Sequence, residues 1–324
     1  MPAQPLSCAH RIERAHALAD ILDTLIDPSV RCEAGTLAAS FAQALPFRHV
    51  VIENFLARDF ADALLAAFPA FEQGNAVGDD GRAGGKSTVE RMAALGADYR
   101  KFDALVRTDE FLRFVGRLTG IDDLLYDPFY LGGGTHENRN GQTLQAHIDF
   151  NYHPSERWHR RLNLIVYLNH DWQANWGGNL ELWRDPYTDS EPAARIAPAF
   201  NRCVIFETTE RSWHGFDRIA LPAEQAQRSR KSVALYFYTT GRAAAETAGK
   251  HTTHYVNRQL PARFAAGRTL DVADVAELRE LIAHRDNQLR QLYAENAKLL
   301  QAQERGLGGQ VLYLLKRLYV RYRR

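Results

Sequence analysis

The sequence predicts a mainly β protein with helices, an α+β chain organised around an antiparallel sandwich or barrel. Three observations carry this expectation. Between residues 125 and 240, short β-rich runs (LYDPFYL, TLQAHID, RLNLIVYLN, NLELW, RCVIFE, KSVALYFYT) alternate with clusters of Gly, Pro, Asn and Asp. Their close spacing suits antiparallel connections rather than βαβ units. Helical periodicity flanks this region, in residues 9–26 before it and from residue 270 after it.

The flanking elements follow in order. Residues 9–26 (AHRIERAHALADILDTLI) predict a helix, residues 47–55 (FRHVVIENF) a strand, and residues 58–68 (RDFADALLAAF) a helix that Pro69 stops. Residues 74–89 (GNAVGDDGRAGGKSTV) are a glycine-rich loop. Its GGKST resembles a phosphate loop, but that motif needs a glycine five positions before Gly85, where Asp80 stands, so a surface loop is the preferred reading. Residues 108–118 (TDEFLRFVGRL) predict another helix. Beyond residue 270, Val275, Leu278, Ile282, Leu289, Leu292 and Leu299 occupy alternating a and d positions of a heptad, with Arg285 at d and Asn296 at a. That pattern predicts a helix that pairs with its copy in a homodimer; packing of the same stripe on its own domain is the alternative. A GLGG break at 306–309 precedes QVLYLLKRLYVRYRR, where Lys316, Arg317, Arg321, Arg323 and Arg324 are offset by no acid. Such a tail suits peripheral association with an anionic membrane.

The chain therefore divides into an N-terminal helical segment (1–45), a β domain (46–245), a linker (246–270), a coiled-coil-like helix (271–305) and a basic amphipathic tail (306–324). A 324-residue chain with 45% hydrophobic residues can bury a sizeable core. Its formal net charge of +1 gives no whole-chain field for nucleic acid. Three widely spaced cysteines (Cys8, Cys32, Cys203) fit a reducing compartment and no disulfide framework. With no signal-peptide run and no long apolar span, the expectation is a cytoplasmic protein, its tail at the inner face of the membrane.

The chemistry centres on TLQAHIDFNYHP, residues 143–154. On a strand, residues i and i+2 face the same way, so His147 and Asp149 point to one side and Ile148 to the other. Two such groups hold a divalent metal only with a third ligand, and His214 in ERSWHGFD is the candidate. Two histidines and one carboxylate leave about three positions open, as in non-haem Fe(II) enzymes that bind a cosubstrate and O₂ together. A closed structural zinc site would need four ligands, and the cysteines are badly placed for it. Alone, an HxD is more simply a hydrogen-bonded histidine in a half-buried strand.

Residues 47–241 resemble the 2-oxoglutarate/Fe(II)-dependent dioxygenase superfamily, in its prolyl-4-hydroxylase-like branch. The likeness is carried by DPFYLGGG, HIDFNYHP, RRLNLIVYLNHDW, GGNLELW, WHGF and RKSVALYFYT, from Asp127 to Tyr238. It implies a double-stranded β-helix (jelly-roll) core, with Fe(II) on His147, Asp149 and His214. It also implies that Arg230 and Ser232 bind the far carboxylate of 2-oxoglutarate, Arg228 and Lys231 being the alternative anchors. Ser232 lies in phase with Arg230 on a strand, which favours Arg230. Tyr167, just before LN, matches the hydroxyl-bearing aromatic that bonds the cosubstrate, and Asn163 points the same way; Tyr130, before the glycines, is another aromatic of that kind. Trp176–Gly177–Gly178 reads as a turn with positive φ. His153, His159 and His170 read as solvated or as substrate contacts.

The implied reaction uses Fe(II), 2-oxoglutarate and O₂, with ascorbate as an optional reductant. It hydroxylates an unactivated C–H bond and releases succinate and CO₂. The substrate is unidentified: a protein side chain such as prolyl, an envelope glycan or a small molecule. Two other classes compete. A catalytically degenerate jelly-roll scaffold would lack part of the site, and a metal hydrolase would not need the carboxylate anchor.

Overall fold

The computed structural model describes residues 21–74, 86–256, 260–261 and 263–305. The chain separates into two units, one running to Asn257 and one from Arg258 onward. In the first, helices α1 (Pro28–Cys32), α2 (Ala34–Gln43), α3 (Arg58–Ala66), α4 (Ala97–Val106) and α5 (Asp109–Thr119) cover one face of a sheet. α5 illustrates how local chemistry sets an element. Its N-cap Thr108 accepts the Phe111 amide at 3.1 Å, Asp109 and Glu110 meet the positive helix end, and Gly120 closes it with φ 66°. Phe111, Phe114, Val115 and Leu118 then recur at helical spacing on the buried side.

The strands are β1 (His49–Ile52), β2 (Ser87–Val89), β3 (Leu125–Tyr126), β4 (Gly134–Asn138), β5 (Leu144–Ile148), β6 (His159–Tyr167), β7 (Leu180–Trp183), β8 (Ala194–Ile196), β9 (Cys203–Glu207), β10 (Trp213–Phe216), β11 (Arg230–Thr239) and β12 (His254–Tyr255). The major sheet runs β1-β9-β6-β11-β4-β2, with β3 also on β11, and the minor sheet β12-β5-β10-β7-β8; the strands pair antiparallel.

Alternation along the strands sorts the two faces of the major sheet. Leu162, Leu164, Val166, Val233, Leu235 and Phe237 pack against the helices, joining Phe102, Phe111 and Phe114 in the larger core. The opposite residues Tyr167, Val204 and Phe206 meet Leu180, Leu182 and Ile196 of the minor sheet. Two facing antiparallel sheets with helices outside one of them are consistent with the jelly-roll core. A bulge lies where β6 meets the end of β11: Phe237 pairs with Leu162 but Tyr238 with Arg160, skipping Arg161.

Several elements differ from the sequence reading. Of LYDPFYL only Leu125 and Tyr126 are strand, because Asp127 turns the chain by accepting the amides of Phe129 and Leu131, each at 2.8 Å. Its backbone then continues into β4, a strand of GTHEN that no apolar run announced. The glycine-rich loop ends in β2, with Thr88 opposite His136. Ser87 and Thr88 are thus ladder residues, unlike those of a phosphate loop, which open a helix. Residues 75–85, most of the helix expected over 9–26, and the basic tail 306–324 lie outside the described residues.

In the second unit, α6 (Val272–Arg305) is a helix of 34 residues. Asp271 caps it by accepting the Asp274 amide at 2.8 Å, and Arg268 holds the Asp274 carboxylate at 2.7 Å. Ile282, Leu289 and Leu292 are each at least half exposed on it. No helix among the described residues is long and apolar enough to cross a membrane.

Candidate metal centre

β5 and β10 are neighbours in the minor sheet, and their register sets His214 directly opposite His147. Asp149 follows one residue past the end of β5. The three side chains each bring a ligand atom within 4.8 Å of the others. His147 Nε2 lies 3.8 Å from Asp149 Oδ1, His214 Nε2 lies 3.5 Å from Asp149 Oδ2, and the imidazole centroids are 4.3 Å apart. Both rings are oriented from behind in the same way. His147 Nδ1 is 2.8 Å from the Gln145 carbonyl and His214 Nδ1 is 2.8 Å from that of Ser212. A carbonyl only accepts, so each Nδ1 carries the proton and each Nε2 turns its lone pair inward.

The carboxylate is braced too. Asn163 donates to Asp149 Oδ2 at 2.8 Å, and Arg160 Nη2 approaches the same oxygen at 3.1 Å. Arg160 also grips Asn163 Oδ1 through Nε and Nη2, at 3.1 and 2.8 Å. Its fully buried guanidinium lies between the rings of Tyr236, 3.6 Å away, and Phe150, 4.5 Å away. Burial alone would raise the Asp149 pKa, but Arg160, the two imidazoles and the Asn163 bond outweigh it and hold the carboxyl well below its usual range. Burial and the neighbouring His147 push His214 down to about 4, against the opposing pull of Asp149. Its imidazole is neutral at physiological pH, the form that binds metal. Two imidazoles and one ionised carboxylate, converging from one side, fit a divalent ion of the non-haem iron type.

A second cluster lies on the inner face of the major sheet, facing the minor sheet that carries the histidine ligands. Arg230, Ser232 and Tyr167 are all buried, and Ser232 pairs with Tyr167 on one side and His136 on the other. Arg230 Nε donates to the Gly178 carbonyl at 2.7 Å and Nη2 to the Tyr167 hydroxyl at 3.3 Å. Its guanidinium lies 4.4 Å from the Phe216 ring. Burial lowers its pKa, while Tyr167 and Asp217 favour the charged form. Gly177 and Gly178 make the expected turn, with φ of 69° and 70°; a Cβ on Gly177 would lie 1.9 Å from the Arg218 carbonyl oxygen. The alternative anchors point elsewhere. Lys231 pairs with Glu137 at 3.1 Å on the other face, and Arg228 donates to the His170 carbonyl at 2.9 Å.

Three sequence expectations need correction. Tyr130 is not in the site: its hydroxyl donates to Asp103 Oδ1 of α4 at 2.7 Å and its ring sits in the helix-side core. Asn163 faces inward as expected, but its amide is committed to Asp149 and Arg160, behind the metal position rather than on a cosubstrate. His153 is buried, not solvated; Nε2 lies 3.4 Å from Asp127, while Nδ1 accepts the amides of Ser155 and Glu156. Of the other two, His170 stacks on Phe200 at 3.6 Å and bonds Asp62 at 2.9 Å, and His159 packs on Tyr152 at 4.6 Å. The residue that the sequence reading missed is Arg160. Strict alternation along this strand puts Arg161, not Arg160, on the side of Asn163, and the bulge exchanges the two arginines.

Residues 133–238 match the sequence model of the 2OG-Fe(II) oxygenase superfamily. No curated protein matches the chain. Solved structures similar to it include a prolyl hydroxylase from Trichoplax adhaerens in complex with a hypoxia inducible factor peptide fragment. It is 16% identical, with a TM-score of 0.47, over 68% of this chain and 98% of that one. A prolyl 4-hydroxylase from Phytophthora capsici is 18% identical, with a TM-score of 0.45, over 79% and 74%. HygX from Streptomyces hygroscopicus, with nickel and 2-oxoglutarate bound, is 11% identical, with a TM-score of 0.39, over 68% and 96%.

The brace on Asp149 generates a prediction. Asn163→Ala should weaken Mn(II) binding, measured without cosubstrate, about 10- to 100-fold, the usual cost of losing a bond behind a metal ligand. Arg161→Ala should leave that affinity unchanged. Equal affinity in Asn163→Ala and the wild type would remove Asn163 from the metal site.

Proposed function

We propose that this chain, whose residues 133–238 match the 2OG-Fe(II) oxygenase model, is a 2-oxoglutarate-dependent Fe(II) dioxygenase that hydroxylates an unactivated C–H bond of a protein side chain such as prolyl, a cell-envelope glycan or a small molecule. The products are the hydroxylated substrate, succinate and CO₂. The observation that carries the reading is the placement of two clusters on the facing inner sides of the two sheets: the His147–Asp149–His214 ligand set and the buried Arg230–Tyr167–Ser232 group, linked across the sandwich by the Asn163–Asp149 bond and the Phe216–Arg230 contact. Asn163, bonded to Asp149, and Tyr167, bonded to Arg230, lie four residues apart on β6, about 13 Å of strand.

His147, Asp149 and His214 would hold the iron, which supplies O₂ activation coupled to oxidative decarboxylation of the cosubstrate. Everything else is positioning by the chain. Arg230 offers Nη1, which has no partner among the described residues, to the far carboxylate of 2-oxoglutarate. The hydroxyls of Tyr167 and Ser232 stand beside it as further donors. Phe216 and the Tyr167 ring wall this end against water, which strengthens each charge-assisted bond. Asn163 and Arg160 occupy one carboxylate oxygen of Asp149, favouring single-oxygen ligation and leaving the open side of the metal for cosubstrate and O₂. A prolyl side chain is supported by the resemblance of residues 127–238 to the prolyl-4-hydroxylase-like branch. A degenerate scaffold is disfavoured because all three ligands converge.

α6 supports a further part of this reading, a homodimer. Ile282, Leu289 and Leu292 are exposed at a and d positions, and Asn296 at a favours a two-stranded pairing in one register. The basic tail beyond the GLGG break would then bring the enzyme to an anionic membrane surface.

Two measurements test these readings. Arg230→Ala should raise the KM for 2-oxoglutarate roughly 10- to 150-fold, the loss expected for a bond to a charged group. Should Lys231→Ala produce that increase instead, the anchor is misassigned. For the helix, light scattering of the full chain and of a version ending at Arg305 should give dimers in both cases, with only the full chain floating on anionic vesicles. A monomeric full chain would refute the pairing.

A further inference from the structure

The stretch between β11 and the C-terminal helical unit was expected as a linker, but its last part runs back along the minor sheet. β12 lies antiparallel to β5, with Tyr255 opposite His147 and His254 opposite Ile148. The Val256 amide extends the pairing by donating to the Ala146 carbonyl at 2.8 Å. Just upstream, Asn151 spends both ends of its side-chain amide on the same stretch. Nδ2 donates to the Gly249 carbonyl at 2.8 Å, and Oδ1 accepts the His251 amide at 3.0 Å. Asn151 stands two residues past Asp149, so this bond pair fastens the stretch to the chain that leaves the ligand strand.

The other ligand strand is engaged as well. His251 Nε2 lies 3.0 Å from Glu210, in the turn that leads into β10, and His254 packs against Trp213, the residue before His214, at 5.6 Å. The Tyr187 hydroxyl is 3.2 Å from His254 Nε2. Residues 249–256 therefore touch the surroundings of both histidine ligands. They lie outside residues 133–238, the part that matches the oxygenase family.

Tyr255 reaches the ligand itself. Its register partner is His147, and its ring lies 5.0 Å from the His147 ring with 31° between the planes. The His214 ring is the other close aromatic neighbour of His147, at 4.3 Å. The hydrogen bond from His147 Nδ1 to the Gln145 carbonyl fixes the tautomer, and rocking about the bond axis is opposed by the other contacts of the ring. A packed ring opposes that rocking, and Nε2 needs a fixed direction to reach a metal shared with two other ligands.

We propose that residues 249–256 form a strap that completes the metal centre, with Tyr255 as a positioning residue that fixes the ring of His147. The inference rests on the reading of His147, Asp149 and His214 as the metal site. In this enzyme the family domain alone does not hold its metal at full affinity; the strap after it is needed. The ring of Tyr255 makes the contact.

The test uses the full chain and Co(II), titrated anaerobically without cosubstrate and read by its visible d–d absorption, alongside thermal melting of the metal-free protein. Tyr255→Ala should weaken Co(II) binding roughly 10-fold or more and alter the band, while the metal-free protein melts close to the wild type. Tyr255→Phe should restore both affinity and band. Asn151→Ala, which releases the strap upstream, should weaken binding in the same direction. The proposal is overturned if Tyr255→Ala binds Co(II) as the wild type does. It is also overturned if Tyr255→Phe is impaired as much as Tyr255→Ala, or if affinity falls only in step with the melting temperature of the metal-free protein. A wild-type chain that binds no Co(II) would overturn the metal site and the strap together.

Discussion

The register of β5 against β10 is the constraint on which the rest of the site depends. It sets His214 opposite His147, and strand alternation then delivers Asp149 to the same side. A slip of one residue would send either histidine to the outer face of the sheet and dissolve the ligand set. The backbone protects this register through Gly215, the neighbour of His214. A Cβ there would lie 2.5 Å from the Leu144 carbonyl oxygen, so no larger residue permits the close approach of the two strands. The ladder shifts just past this point, between His214 and Phe216, and Phe216 goes on to wall Arg230.

Given that register, the fold must keep charged groups inside an otherwise apolar β sandwich. An isolated buried charge is costly, and each one here is met by a partner. Asp149 is opposed by Arg160, whose guanidinium is also covered by two aromatic rings and bonded to Asn163. Arg230 hydrogen-bonds a carbonyl and a tyrosine hydroxyl, and Asp217 favours its charge without hydrogen-bonding it. The difference is informative. The first arginine contacts a carboxylate of the chain, while the second hydrogen-bonds only neutral groups. A dicarboxylate cosubstrate would supply the missing anion, which links the cost of burying Arg230 to its use.

Much of this was legible in the sequence, because period-two alternation is a strong signal where one face is buried. Alternation put Arg230 with Ser232 along RKSVALYFYT and Tyr167 with Asn163 along RLNLIVYLN, the HxD spacing did the same for the first two ligands, and the family resemblance joined the sets. What escaped was what alternation does not encode. The bulge that exchanges Arg160 for Arg161 is a single skipped residue in a ladder. β4 reads as a polar turn because GTHEN has little apolar content, yet its pairing with β11 and β2 makes it a strand. Tyr130 looked inward by its position before glycines, but the turn built on Asp127 directs it to Asp103 instead. β12 is only two residues long and carries no hydrophobic run, so its docking on β5 is a tertiary outcome.

The central claim is that the space between the two sheets binds Fe(II) and 2-oxoglutarate together, through His147, Asp149, His214 and Arg230. Anaerobic titration of the metal-free protein with Fe(II), with and without 2-oxoglutarate, tests it most directly. The account predicts a weak visible charge-transfer band that requires both additions, saturates at one iron per chain and is lost in His214→Ala. A band that persists in His214→Ala, or none with both components at saturation, would contradict it.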